Sequence, residues 1–290
     1  MPSEQVFAEY RPLLFTIAYE ILGSAADAED VLQDSYIRWS DTESTVTNPR
    51  AYLARIVTRQ ALNHLRTAQR RREQYVGPWL PEPIRTEPDT TEDTVLAESV
   101  SVAMLLVLET LGPDERAVFV LHEVFGYTYP EIADMIGKTD PTVRQIAHRA
   151  REHVQARRKR FDPAPDTTVE IVTKFFVAAR EGDIQTLMDL MSPDVVQISD
   201  GGGRVSTALR PILGQDHVAR FLAGIAKRDV PDVRIEFATF NSLPAVLAYS
   251  GDQPDTLFMI ELADRLVRSV YIVRNPDKLR AAAAQHPLAR

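Results

Sequence analysis

The first half of the chain repeats its apolar residues at helical spacing, and the last third alternates them. Val6, Tyr10, Leu13, Leu14, Ile17, Ala18 and Ile21 keep a 3.6-residue period and predict a first helix. Gly23 ends it, and Ser24 or Asp27 can cap a second helix whose buried stripe is Val31, Leu32, Tyr36 and Trp39. Asn48-Pro49 opens a third, with Tyr52, Leu53, Ile56, Val57, Ala61, Leu62 and Leu65 on its apolar face. Residues 76–93, VGPWLPEPIRTEPDTTED, hold four prolines and no period, and read as a linker. Helices resume over Glu92–Leu111 and from about Asp114 to Val124. A second break falls at Asp162–Asp166. Beyond it come helices at Val169–Glu181 and Ile184–Met191. Six alternating segments follow: 195–199, 204–208, 233–240, 245–250, 256–262 and 266–274. With a helix near 215–228, they predict a curved sheet with helices on one side. The tail 279–290 reads as a frayed helix. The fold class is multidomain, all-α first and α+β last: 1–75, the linker, 94–161, and 166–290.

One stretch carries a mechanism. In YTYPEIADMIGKTDPTVRQIAHRAREHVQ, Ile132, Ala133 and Ile136 face inward and Gly137 gives the tight turn. Thr139 or Asp140 caps the next helix, with Pro141 in its first turn. Val143, Ile146, Ala147 and Ala150 form its buried stripe. That leaves Thr142, Arg144, Gln145, His148, Arg149 and Arg151 outward or flanking. In a helix-turn-helix the second helix enters the major groove, where Arg and Gln make bidentate bonds to guanine and adenine edges. Cations near its end bind phosphates and fix the register. An ordinary helical hairpin uses the same turn, so the outward Arg, Gln and His set is what favours DNA.

The formal charge of −8 argues against nucleic acid until its distribution is seen. Seven Arg and no acid lie between Arg50 and Arg72, and seven Lys or Arg against Glu152 alone between Arg144 and Arg160. Acids gather at Asp27–Asp34 and Glu82–Glu98. Such blocks fit separate surfaces for separate partners, although solvated basic helices would show them too. The face of the third helix mixes Arg55, Arg59 and Arg66 with Asn63 and His64. Cations beside aromatic rings suit unstacked bases. Trp39 and Tyr52 are equally at home as core. There is no Cys, which excludes disulfides and thiolate metal sites. The six His show no ligand spacing, so neither metal nor cofactor is expected. Neither a signal peptide nor a membrane span is expected, which points to the cytoplasm.

Asp27, Glu29, Asp30, Gln33 and Asp34 form an acidic helix face whose functional reading needs a basic protein partner; acids near a helix N-terminus are favourable in any case. DAEDVLQDSYIRW, NPRAYLARIVTRQALNHLR and LGPDERAVFVLHEVFGYTYPEIADMIGKTDPTVRQIAHRAR, in that order, resemble regions 2 and 4 of an extracytoplasmic-function sigma factor over residues 1–160. The remainder resembles a SnoaL-type domain of the nuclear-transport-factor-2-like cone. The combination is similar to group 41 of these sigma factors, supported by WLPEP at 79–83, DGGGR at 200–204 and NPDKL at 275–279.

The resemblance implies a subunit that directs core RNA polymerase to promoters and starts transcription. Its implied partners are promoter DNA and core polymerase, through the β′ clamp helices and the β flap. Asp27, Asp30, Gln33 and Asp34 then meet the clamp helices. The loop at about Asp41–Asn48 holds a flipped base of the −10 element, with Asn48, Arg55, Arg59, Asn63, His64 and Arg66 at or behind it. Thr142, Arg144, Gln145, His148 and Arg149 read the −35 element. Where the family often has Arg-Leu in this helix, the chain has Ile146-Ala147, which bears on base preference. The free protein is expected to be a monomer. Trp79, Leu80, Pro81, Asp200, Gly201, Gly202, Gly203, Arg204, Asn275, Pro276 and Asp277 are candidate interdomain contacts through which the C-terminal domain would regulate the sigma core. Catalysis by Asp200, Asp216 or His217 is disfavoured, because nothing supplies an acid/base pair in separated environments. The rival readings are a stand-alone helix-turn-helix regulator with a small-molecule-sensing C-terminal domain, and a cyclase-like enzyme.

Overall fold

A computed structural model describes the 290-residue chain apart from residues 1–3, 43–45, 87–92, 158–164, 227–232 and 283–285. The centre of the expected base-holding loop, the basic tail beyond residue 157 and most of the second break therefore lie outside the described residues. The chain divides into two compact units. The first comprises residues 1–74, 86–158 and 284–290; the second comprises 75–85 and 159–283.

The first unit is helical. α1 (Glu4–Leu22), α2 (Ala25–Ser40) and α3 (Pro49–Arg72) pack around Leu14, Ile17, Ile21, Val31, Leu53, Val57 and Leu65, all essentially inaccessible. Gly23, at φ 68°, ends α1 in a conformation that only glycine adopts freely. Ser24 caps α2 by accepting from the Asp27 N–H at 3.0 Å. The single helix expected over Glu92–Leu111 is instead two, α4 (Thr94–Ser99) and α5 (Val102–Glu109). Ser101 has an extended backbone and accepts from the Met104 N–H at 3.2 Å, so it starts a new helix where the apolar pattern runs on unbroken. α6 (Pro113–Phe119) runs on into a π-helical turn at Val120–Val124. α7 (Tyr129–Ile136) starts with a Thr128–Glu131 capping box and ends at Gly137, φ 68°. α8 (Asp140–Arg157) buries Val143, Ile146, Ala147, Ala150 and Val154.

A buried polar cluster ties α1, α4 and α6 together. Glu20, Ser99 and Arg116 are all withdrawn from solvent. Arg116 Nε donates to the Glu20 carbonyl at 2.9 Å and Nη1 to Glu109 at 2.7 Å. Ser99 Oγ lies 2.7 Å from Glu20 Oε1 and 2.8 Å from the Leu96 carbonyl. One hydroxyl proton serves one acceptor. A protonated Glu20 resolves this by donating to Ser99, which then donates to Leu96. Burial pushes the Glu20 carboxyl up to about 8, against the opposing pull of Ser99 and Arg116.

The second unit is α+β, as expected. One sheet has the order β2-β1-β6-β5-β4-β3: β1 (Met191–Asp200), β2 (Ile212–Leu213), β3 (Val233–Phe240), β4 (Leu243–Ser250), β5 (Gln253–Ala263) and β6 (Leu266–Val273). β1 and β6 are parallel and the other pairs antiparallel. α9 (Pro165–Glu181), α10 (Ile184–Leu190) and α11 (Gln215–Ala226) supply Val172, Phe175, Leu187, Val218 and Leu222 to a core shared with Val195, Ile260, Val270 and Ile272. No strand forms at 204–208. The Asp200 carboxylate accepts from the Gly202 N–H at 3.0 Å, and Gly202 and Gly203 take positive φ, so the chain turns too tightly for a ladder. The frayed tail helix is in fact the short α12 (Pro276–Ala281), capped by Asn275, and residues 286–290 have no helix.

Candidate nucleic-acid interface

α8 owes its outward face to its own period. With Val143, Ile146 and Ala147 buried, the chain must present Thr142, Arg144, Gln145, His148 and Arg149 to solvent, and all five are exposed. Their ties are local and weak. Arg144 pairs with Asp140 one turn back at 2.8 Å and lies 4.9 Å from the Tyr129 ring centroid. His148 meets Glu152 at 3.6 Å and Arg149 meets Glu115 at 3.8 Å. Exposed pairs of this kind contribute little to stability, because water and salt screen them, so a phosphate could replace them at little cost.

The basic face of α3 is differently placed. Asn48 caps α3, accepting from the Ala51 N–H at 3.1 Å, and Asn63 is exposed. His64 is half-buried. Arg55, Arg59 and Arg66 instead grip α6 and α7 within the first unit. Arg55 pairs with Asp134 at 3.1 Å and Arg66 with Asp114 at 3.1 Å. Arg59 donates through Nε to the Met135 carbonyl and through Nη2 to the Asp134 carbonyl, both at 2.8 Å. Those two carbonyls belong to the last turn of α7, where helix C=O groups lack intrahelical partners. Asp114, Asp134 and Met135 went unnoticed in the sequence, since nothing in their spacing says which helix they face. Trp39 is buried, which is its core reading, with its ring centroid 6.0 Å from that of Tyr52; Tyr52 is half-buried, and the Arg55 guanidinium lies 5.4 Å from its ring centroid.

On α2, Asp30, Gln33 and Asp34 are exposed and Asp27 is half-buried beside the Ser24 cap. Glu29, between them, is already engaged. It takes Arg11 at 2.5 Å and His286 Nδ1 at 3.3 Å, and the His286 ring stacks on Phe15 with centroids 4.3 Å apart. These bonds, His286 first, hold the Glu29 carboxyl below its ordinary range.

The three short motifs converge inside the second unit on one carboxylate. Asp200 is fully buried at the end of β1. It accepts from Tyr75 Oη at 2.5 Å, the Leu80 N–H at 2.9 Å and Lys278 Nζ at 2.7 Å. Lys278 also donates to the Leu80 carbonyl and lies 4.3 Å from the Trp79 ring centroid. Asn275 Nδ2 donates to Tyr75 Oη at 2.8 Å. Burial, then the Asp200 carboxylate, drive the Tyr75 hydroxyl well above its ordinary range. A Cβ at Gly202 would stand 2.4 Å from Asn275 Nδ2, and one at Gly203 2.9 Å from Val76 Cβ. Arg204 pairs with Asp277 at 3.0 Å. Leu80 and Pro81 are buried, and Trp79 is half-buried. Residues 76–85, expected as part of a linker, and Tyr75, expected at the end of the first helical region, are thus an integral strap of this unit. Asn241 holds its far end: its Oδ1 accepts from the Ile84 N–H at 3.1 Å and its N–H donates to the Ile84 carbonyl at 2.9 Å. Asn241-Ser242 at positive φ between β3 and β4 was a readable hairpin signal. Tyr75 and Lys278 had none of their own. Asp216 and His217 lie exposed at the start of α11, Asp216 paired with Arg220 at 2.8 Å, with no shared site.

Both helical regions are of the sigma-70 class: the family models described as Sigma-70 region 2 and Sigma-70, region 4 match residues 6–71 and 101–154. The chain is 36% identical to the ECF RNA polymerase sigma factor SigJ of Mycobacterium tuberculosis, over 94% of its own length and 91% of the relative's. The chain belongs to the extracytoplasmic-function RNA polymerase sigma factors. The probable ECF RNA polymerase sigma factor SigI of the same organism is 32% identical, over 67% of this chain and 68% of the relative. The crystal structure of Mycobacterium tuberculosis SigJ superposes with a TM-score of 0.77 at 32% identity, covering 97% of this chain and 99% of that one. Among the described residues no helix is long and apolar enough to cross a membrane.

Proposed function

We propose that α8 reads the −35 element through Thr142, Arg144, Gln145, His148 and Arg149. On the same reading, the loop before α3, with Asn48, Arg55, Arg59, Asn63, His64 and Arg66, takes the melted −10 element. The observation that carries this is the exposed, loosely paired polar face of α8 in a chain that belongs to the sigma factors. Asp27, Asp30, Gln33 and Asp34 offer acid to the clamp helices of core polymerase, in the cytoplasm. Arg55, Arg59 and Arg66 are bound to α6 and α7 in the free chain, so α3 can engage DNA only when these ties are exchanged for phosphates and bases. The second unit modulates that activity, as the strap 75–85 suggests: the chain that joins the two sigma regions is itself built into this unit. Run-off transcription with core polymerase on candidate promoters tests the whole. Full-length chain should start transcripts, and the pair Arg144→Ala and Gln145→Ala should abolish them while polymerase binding survives. Failure to join the polymerase, or transcription indifferent to both substitutions, refutes it.

A further inference from the structure

The sheet of the second unit ends differently at its two edges. β2, at one edge, is two residues long, and very short strands are one way natural sheets blunt an edge. β3, at the other, runs for eight residues, VRIEFATF, with no Pro, Gly or Lys. Its inner side pairs with β4 over its whole length. On its outer side, among the described residues, the only pairing is the bridge from Arg85 to Phe240 at the C-terminal end. Alternate backbone N–H and C=O groups of 233–239 thus point outward, a template for another strand.

The side chains leave that edge unprotected. Val233, Ile235 and Phe237 alternate along one face and are 45, 48 and 61% exposed. Val177 of α9, also exposed, lies on the same side, and the Phe237 ring meets Phe176 edge-on with centroids 6.3 Å apart. On the opposite face the Arg234 guanidinium lies 3.7 Å from the Tyr249 ring centroid, and Glu236 accepts from the Tyr249 hydroxyl at 2.7 Å. Glu236 also takes Arg85, and each of its oxygens keeps a second lone pair for a further donor.

The order of these side chains identifies the occupant. Val-Arg-Ile-Glu-Phe reads apolar, cation, apolar, anion, apolar, and is complementary to its own reverse. Set antiparallel to a second copy and centred on Ile235, Val233 faces the partner's Phe237, Arg234 faces the partner's Glu236, and Ile235 faces itself across a two-fold axis. Every such contact occurs twice except the one on the axis. A shift of one residue sets Ile235 against Glu236 or Arg234, and a shift of two sets Glu236 or Arg234 against its own copy. One register therefore satisfies both faces at once.

We infer that two copies of this chain associate through β3, antiparallel and centred on Ile235, joining their six-stranded sheets into one. The pair is reversible, because so short a seam buries less than the about 1,200 Å² of a standard interface. Sedimentation equilibrium of the full-length chain should show monomer and dimer exchanging with a dissociation constant of about 1–100 µM. Arg234→Glu alone, or Glu236→Arg alone, turns two attractions into two repulsions by symmetry and should weaken association about tenfold or more. An equal mixture of these two variants restores opposite charges at both places and should associate again. The chain has no Cys, so Ile235→Cys introduces a single thiol opposite its own copy. Oxidation with copper–phenanthroline should link it into a disulfide dimer and should leave Leu213→Cys, equally accessible on the far edge, as monomer. Glu236→Arg also breaks the contacts to Arg85 and Tyr249; if it does not melt cooperatively, Ile235→Lys, which sets like charges on the axis, replaces it and should abolish association. A chain that stays monomeric throughout, association indifferent to the change in a folded variant, or equal cross-linking at 213 and 235 overturns the inference. None of these outcomes bears on promoter recognition, which the transcription assay judges separately.

Discussion

Replacing Asp200 by Ala tests the strap directly. The carboxylate is fully buried and takes three donors from three separate segments, Tyr75, the Leu80 amide and Lys278. Removing it leaves Lys278, 5% exposed, as a buried cation without its carboxylate. Breaking one side of such a pair costs about 3–5 kcal/mol. The Leu80 N–H also loses its acceptor, at about 1–3 kcal/mol, although effects within one network do not add in full. A loss of about 4 kcal/mol would be a large part of the ~5–15 kcal/mol that holds a domain together. The chain has two tryptophans, Trp39 in the first unit and Trp79 over Lys278 in the second. In a Trp39→Phe background, urea unfolding followed by fluorescence therefore reports the second unit alone. Asp200→Ala should lower its midpoint strongly. Adding Lys278→Met should restore much of the loss, because the stranded charge is then gone. A cost below about 1 kcal/mol, the worth of an exposed pair, would refute the buried-hub argument, and so would simple additivity of the two substitutions.

Glu20 sets a pH dependence of opposite sign to the usual carboxylate. Its folded value of about 8 lies above the ordinary 4.5, so its stabilising contribution is complete below 4.5 and is lost as pH rises through 8; Glu20→Gln should flatten that decline in thermal melts. Gly202→Ala must place a side chain at φ 60° and 2.4 Å from Asn275, and should destabilise the second unit by at least about 1–2 kcal/mol, measurable by the same urea assay. Asp134→Ala removes only the exposed partner of Arg55 and leaves both Arg59 bonds to carbonyls, so melts should fall by less than about 1 kcal/mol. Arg149→Ala should weaken promoter binding in a footprinting titration and flatten its salt dependence by about one phosphate contact; an unchanged salt slope would move Arg149 off the phosphate backbone.

What was legible in the sequence is what local physics decides. Gly23 and Gly137 stop helices because only glycine adopts positive φ freely. The periods of α3 and α8 fixed which faces turn inward, so the exposed set on α8 could be named in advance. Ser101 and the Asp200 turn show where pattern alone fails. Apolar periodicity ran through one and alternation through the other, and a single side-chain hydrogen bond redirected the chain in each case. Three proline-rich and glycine-rich motifs could be singled out, but their meeting point could not. The cluster that Tyr75, Leu80, Asn275 and Lys278 build around Asp200 rests on bonds between residues 78 to 200 positions apart.

The same distinction explains the two basic helices, which look alike in sequence and behave differently in the fold. On α8 the cations meet carboxylates of their own helix or of exposed neighbours, contacts that DNA can displace without uncovering anything. On α3, Arg59 satisfies two helix-terminal carbonyls, so releasing it strands acceptors as well as freeing a cation. Opening the α3 face therefore carries a cost that exposing α8 does not. If α8 reads duplex as proposed, that contact can precede this step. On the proposed reading, a binding partner that satisfies the end of α7, or separates α7 from α3, supplies the remainder, and core polymerase, received by the acidic face of α2, would be that partner.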